Sequence, residues 1–219
     1  MKKIFVLLMG LMFLAACATT TPDKSRTRFL REYEKMMTPS PKGAASDMRW
    51  LKPGVDFGKY DKVMVDYVIF AISPDSEFDG IQADEMKLMA DIASLALVEG
   101  LKTAYPVVSE PGPTTLRIKT AIVDLKQSNP GLSAVTTVVP VGLAISLVKK
   151  GATGSYVGGG FTKAEAIAMD SMTNEVLAVG HADYSAAFTE RFSSWGSVEE
   201  AFKKWGALGA EQLKLIIKK

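Results

Sequence analysis

Two spacings of apolar residues organise the chain from Tyr60 onward. One is alternation, as in a half-buried strand; the other is recurrence every three or four positions, as in a helix with one buried face. Residues 62–72 (KVMVDYVIFAI) alternate at first and are rich in β-branched and aromatic side chains, which predicts a buried strand ended by Ser73-Pro74-Asp75. Residues 82–104 predict a long helix. Asp84, Lys87, Asp91, Ser94 and Lys102 fall on one face, with Met89, Ala93, Ala96 and Leu97 opposite. Pro106-Val107-Val108 is short and extended, and Glu110-Pro111-Gly112-Pro113 forces a turn. Residues 114–126 alternate again, with Leu116 and Ile118 inward and Arg117 and Lys119 outward. Residues 155–170 and 175–187 predict an antiparallel hairpin around Ser171-Met172-Thr173-Asn174, because Asn suits a left-handed turn position. Ser197-Val198-Glu199-Glu200 has the form of a capping box opening a last helix, whose buried stripe is Val198, Ala201, Trp205 and Leu208. The order strand, helix, strands, hairpin, helix predicts an α+β fold: a mostly antiparallel sheet with two long helices packed on it.

Upstream of this core, residues 28–37 put Phe29, Leu30 and Tyr33 at helical spacing, which predicts a short docked helix broken by Pro39, Pro41 and Gly43. Residues 18–27 (ATTTPDKSRT) are polar and read as a flexible tether. One stretch fits neither spacing. From Gln127 to Val148 there is no charge, and Ala134 to Val148 is nearly all apolar, followed by Lys149-Lys150 and a glycine-rich run to Gly160. Residues 134–150 read first as an apolar connection packed on the core, where Pro140 and Gly142 argue against one straight helix. The alternatives are a docking surface for a partner or the membrane face, and a membrane-active oligomer that inserts this segment.

The N-terminus adds an address. Met1-Lys2-Lys3 is followed by an uncharged apolar run from Ile4 to Ala16, about 13 residues against the ~20 needed to span a bilayer. The run ends in Leu14-Ala15-Ala16-Cys17, which is similar to the lipobox of bacterial lipoproteins. That resemblance implies a signal peptide over residues 1–16, cleavage before Cys17, and acylation of the Cys17 thiol and of the new amino group. Two or three acyl chains make a stable anchor where one is only marginal. Ala18 rather than Asp after the cysteine implies, by similarity to enterobacterial sorting, the periplasmic face of the outer membrane rather than the inner membrane. Residues 28–219 are then expected to form a single periplasmic domain.

The formal net charge of +2 comes entirely from Lys2 and Lys3 of the leader, so the remaining chain is balanced and no nucleic-acid partner is expected. Cys17 is the only cysteine, which excludes an internal disulfide and a CxxC pair. His181 is the only histidine, so neither a multi-histidine metal site nor a histidine triad can be built from it, and acylation of the one thiol would leave no cysteine nucleophile. His181-Ala182-Asp183 places a carboxylate on the same strand face as the imidazole, the one pairing with the form of an acid/base site; a solvated sheet face is the plainer reading. The run Gly154 to Gly160 lacks the GK[ST] ending of a phosphate loop and precedes a strand. Asp124 and Asp170, near strand ends, are expected to satisfy turn amides, and Trp195 and Trp205 to belong to the core. No enzyme, cofactor or metal is expected. The expected partners are a membrane, through the N-terminal lipid, and an envelope protein.

Several short motifs bear a family resemblance. Pro53-Gly54-Val55-Asp56, Ser73-Pro74-Asp75-Ser76, Tyr105-Pro106-Val107-Val108, Val139-Pro140-Val141-Gly142-Leu143 and Ser193-Ser194-Trp195-Gly196 resemble, in order from about residue 28 to 216, the domain-of-unknown-function family 3313. The resemblance implies a bacterial lipoprotein of about this length and supplies no catalytic residues. Asn174 stands where that family has Gly in the hairpin turn, a backbone position Asn also tolerates.

Overall fold

The computed structural model describes residues 29–217, apart from 75, 77, 79, 139 and 154. The leader, Cys17 and the tether lie outside the described residues. Within them a 3-10 turn (Arg31–Met36) leads into β1 (Thr38–Pro39) and β2 (Met48–Leu51). A second 3-10 turn (Phe57–Lys59) precedes β3 (Lys62–Val65) and β4 (Ile69–Phe70). Then follow α1 (Ala83–Lys102), β5 (Val107–Val108), β6 (Thr115–Lys126), α2 (Pro130–Val138) and α3 (Pro140–Thr153). The chain continues through β7 (Phe161–Asp170), β8 (Val176–Ser185), a 3-10 turn (Glu190–Phe192) and α4 (Gly196–Ile217).

One sheet runs in the order β1-β2-β8-β7-β6-β3-β5, with β4 beside the far end of β6. The pairs from β1 through β6 are antiparallel; β3 with β5, β3 with β6, and β4 with β6 are parallel. The fold is therefore α+β with a mostly antiparallel sheet, as the periodicities predict, and the parallel pairs arise where α1 carries the chain from β4 back across the sheet. Met89, Ala93, Leu97 and Leu101 of α1 and Val198 and Phe202 of α4 bury themselves on Val63, Leu116, Ile122 and Leu125. Each such Leu, Ile or Val contributes about 1.5–3 kcal/mol by leaving water. The two helices cross with backbones in contact: a Cβ on Gly100 would lie 2.5 Å from the Gly206 carbonyl carbon.

Several boundaries differ from the predicted ones for local reasons. The strand expected over 62–72 breaks between Val65 and Ile69. The amide of Val68 donates to Ser94 Oγ (2.9 Å) on α1, and Asp66 turns out to meet Arg117 in two parallel bonds of 2.8 and 2.9 Å. The hairpin strand expected from 155 begins only at Phe161. Gly158 has φ +75° and its carbonyl accepts from the Asn129 amide (2.7 Å), so the glycine-rich run turns back instead of pairing. The turn 171–174 is as predicted: Asn174 has φ 58° and its amide donates to the Asp170 carbonyl. Ser197 does not open α4 from outside. The helix begins at Gly196, and the buried Ser197 hydroxyl accepts from Thr162 (3.4 Å), tying the first turn to β7. Lys203 pairs with both Glu199 (2.6 Å) and Glu200 (3.0 Å) along the helix.

Three features go beyond the predicted elements. The core reaches upstream of Tyr60, because β2 pairs with β8 from Met48↔His181 to Leu51↔Ala178. The docked segment before it is a 3-10 turn that follows the fully buried Leu30 and in which Tyr33 packs on Trp50 at 5.1 Å. The uncharged segment contributes to two helices rather than one, α2 ending at Val138 and α3 beginning at Pro140, so the break near Pro140 is as expected, yet Pro130 and Pro140 each start a helix. Proline at a first helical position gives up only an amide that has no partner there. Asn129 Oδ1 accepts from the Leu132 amide (2.9 Å) and caps α2.

Candidate functional site

The sheet register brings His181 together with two carboxylates rather than one. Asp183 Oδ1 lies 3.1 Å from Nε2, as the two-residue spacing predicts, and Glu165, the cross-strand partner of His181 on β7, lies 3.5 Å from Nδ1. The Asp183 amide in turn donates to Asp47 Oδ2 (2.7 Å), just before β2. Glu165 is 2% exposed and His181 side chain 26%. Burial pushes the imidazole pKa down, but the bonds to Asp183 and Glu165 outweigh it and raise it to about 9 from 6.5. The same contact holds Asp183 below the usual carboxylate range. At neutral pH the ring is therefore an imidazolium with both N–H groups directed at carboxylates. A general base needs a free ring nitrogen near neutral pH, so the cluster is arranged as an ion-pair clamp across β2, β7 and β8.

That arrangement has a signed consequence. A folded-state pKa above the unfolded one gives stabilisation that is complete below about pH 6.5 and is lost as pH rises through 9. After allowance for partial exposure this is on the order of 1–2 kcal/mol. Unfolding free energy is expected to fall between pH 7 and 10, and this part of the fall to disappear in His181→Gln. Because His181 is the only histidine, its NMR titration is unambiguous, and a midpoint near 6.5 would contradict the clamp.

The other singled-out side chains are held structurally. Asp170 Oδ1 accepts from the Met172 and Thr173 amides (3.0 Å each), as expected of a turn carboxylate, and Oδ2 takes Tyr60 Oη (2.8 Å) and Lys59 Nζ (3.1 Å). Burial pushes its pKa up, yet these four donors hold it well below the carboxylate range. Asp124 pairs with Lys163 at 2.9 Å beside a bulge in β6. Trp205 meets Phe202 edge-on at 5.1 Å and Trp195 packs on the same core. Among the described residues no group of three or more His, Cys, Asp or Glu is placed to hold a metal ion. Cys17 lies outside them.

A surface that sequence reasoning left open is formed by α2 and α3. Ile145 (57% exposed), Leu147 and Val148 (73%) stand in solvent with Leu132, next to Lys149. Arg191, which nothing in the sequence pattern singles out, ties α3 to the body. Its side chain is fully buried, with Cζ 4.4, 5.2 and 5.3 Å from the ring centres of Phe188, Phe192 and Tyr156. Nη1 donates to Ser146 Oγ on α3 and to the Val157 carbonyl, each at 3.1 Å. Among the described residues no helix is long and apolar enough to cross a membrane.

Comparison with known proteins adds a family. An Escherichia coli K12 protein named "Uncharacterized lipoprotein YdcL" is 28% identical over 141 residues, 64% of this chain. The match spans 62% of that relative's length, and the same protein from E. coli O157:H7 matches equally. Among solved structures, a PelC dodecamer from Paraburkholderia phytofirmans aligns with 73% of this chain and 95% of its own at a TM-score of 0.38 and 11% identity. A DUF4136 family protein from Bacteroides thetaiotaomicron aligns with 77% of this chain and 95% of its own at a TM-score of 0.33 and 11% identity. The family model described as "Protein of unknown function (DUF3313)" matches residues 25–208, spanning the sheet and nearly all of its helices, and the chain belongs to that family.

Proposed function

We propose that this chain is a lipoprotein, held by acylated Cys17 at the periplasmic face of the outer membrane, whose folded part is a non-enzymatic module that binds an envelope protein. The leader pattern and the YdcL relative's designation as a lipoprotein support the anchor. The state of His181 supports the non-enzymatic reading, because its proton is held by two carboxylates. The observation that carries the binding role is the set Ile145, Leu147 and Val148, exposed on helices that Arg191 pins in place. A contiguous apolar surface facing water on a fixed scaffold is what a partner covers.

The anchor is tested by labelling cells with an alkyne palmitate analogue and fractionating their membranes. Label in the outer-membrane fraction that Cys17→Ser abolishes supports it, and an unlabelled mature chain refutes it. The binding role is tested with a photo-crosslinking residue at position 148 in living cells, against the same residue at the exposed polar Lys204. A discrete protein adduct from 148 alone, weakened by Ile145→Glu, is the expected result. Adducts to lipid alone, with release of liposome contents by the purified protein, would favour the membrane-inserting reading of residues 134–150 instead.

A further inference from the structure

On the helix-facing side of the sheet one row of residues crosses four strands in register: Arg49 on β2, Gly180 on β8, Ala166 on β7 and Thr120 on β6. The neighbouring rows place Ala178 beside Ala168 and Ala182 beside Ala164. Helices α1 and α4 lie above with larger side chains, Leu97, Leu101, Phe202, Trp205 and Leu213. Small residues below and a glycine-held helix crossing above leave a gap, a cleft of about 200 Å³. Its lining is almost wholly apolar, and the exceptions are informative. Thr120 is a buried hydroxyl along the row. Arg49 lines the cleft at the β2 end, half-buried, and among the described residues its guanidinium has no carboxylate partner.

We propose that this cleft binds a single-chain amphipathic anion, with the aliphatic chain between α4 and the small-residue rows and the anionic head on Arg49. The volume argues for one chain. It exceeds the ~150 Å³ of an apolar cavity that takes up benzene and falls short of the ~300 Å³ at which pockets for drug-sized ligands begin. The charge argues for the head. A half-buried guanidinium beside apolar walls gains a charge-assisted, two-pronged bond to a carboxylate or phosphate that water offers less well. A fatty acid and a single-chain phosphate ester share this chemistry. The cleft lies between the helix layer and the sheet, on different elements from Leu132, Ile145 and Val148, so it stands or falls apart from the partner surface.

The test is titration of the full chain with carboxyl-labelled decanoate, read by the carbon resonance of the bound head and by protein fluorescence. Saturable one-to-one binding is expected. Arg49→Gln is expected to weaken decanoate at least tenfold, about 1.4 kcal/mol, while leaving uncharged decanol unchanged. Ala166→Leu fills the gap with methyl groups, so it is expected to abolish binding without lowering the melting temperature, which separates a blocked cleft from a misfolded one. Decyl phosphate binding more tightly than decanoate would assign the head as phosphate within the same class. No saturable binding, equal affinities for the parent and Arg49→Gln, or full binding by Ala166→Leu would each overturn the proposal. So would binding by Cys17→Ser but not by the acylated chain, since the cleft would then hold the protein's own lipid.

Discussion

Arg191→Ala is expected to lower the unfolding free energy by about 3 kcal/mol. The substitution removes a guanidinium stacked among Phe188, Phe192 and Tyr156, empties a space that is fully buried, and strips a donor from the Val157 carbonyl and Ser146. Part of that loss is offset because a desolvated cation also goes. Arg191→Met isolates that offset: it refills the volume without charge, and its global stability is expected to fall by under half as much. Both variants are expected to raise amide exchange in α3 near Ser146 before the rest of the fold responds. Urea unfolding with hydrogen exchange reads both effects. An Arg191→Ala protein within 0.5 kcal/mol of the parent (about the scatter of neutral surface substitutions) would show that the cage is dispensable.

Gly100→Val should be the most damaging of the single helix substitutions. At that position a Cβ would lie 2.5 Å from the Gly206 carbonyl carbon, 2.6 Å from its Cα and 2.8 Å from the Ala207 nitrogen, all backbone atoms that cannot rotate aside. The helices must separate, lifting Leu97 and Phe202 from the sheet, at a loss of about 3 kcal/mol. Gly100→Ala carries the same collision with fewer atoms and is expected to lose about 1–2 kcal/mol. Helix propensity by itself predicts the opposite sign, a gain of about 1 kcal/mol for Ala over Gly. A stabilised Gly100→Ala protein would therefore rule out the tight crossing. Gly206→Ala is the internal control, since its Cβ meets neighbours only at 3.1–3.2 Å and should be milder.

What the sequence yielded tracks how local each determinant is. The 114–126 strand, the 82–104 helix and the Asn174 turn are set by alternation, by helical spacing and by one residue's backbone tolerance, and each appears within a residue or two of its predicted place. β2 escaped because four residues, Met48 to Leu51, are too few to show a period, and their strand state depends on pairing with β8 well over a hundred positions away. The helices over 130–153 escaped because Pro140 and Gly142 argue against one straight helix, although Pro130 and Pro140 each occupy the first helical position, which suits proline. The His181–Asp183 pair is legible from spacing. Glu165 is not, because only the register of β7 on β8 brings it to the ring, and that partner is what completes the clamp on the imidazole. Arg191 likewise looks like any surface arginine until Tyr156, Phe188 and Phe192 converge on it.

The borders of the sheet limit how this protein can join another chain. Its outer strands β1, β4 and β5 have two residues each; Pro39 lies within β1, and Pro106 immediately precedes β5. An incoming backbone would find at most two residues to zip onto and prolines where amides should be offered. Growth of the sheet by strand addition along β1, β4 or β5, whether to bind a peptide or to aggregate, is thereby blunted.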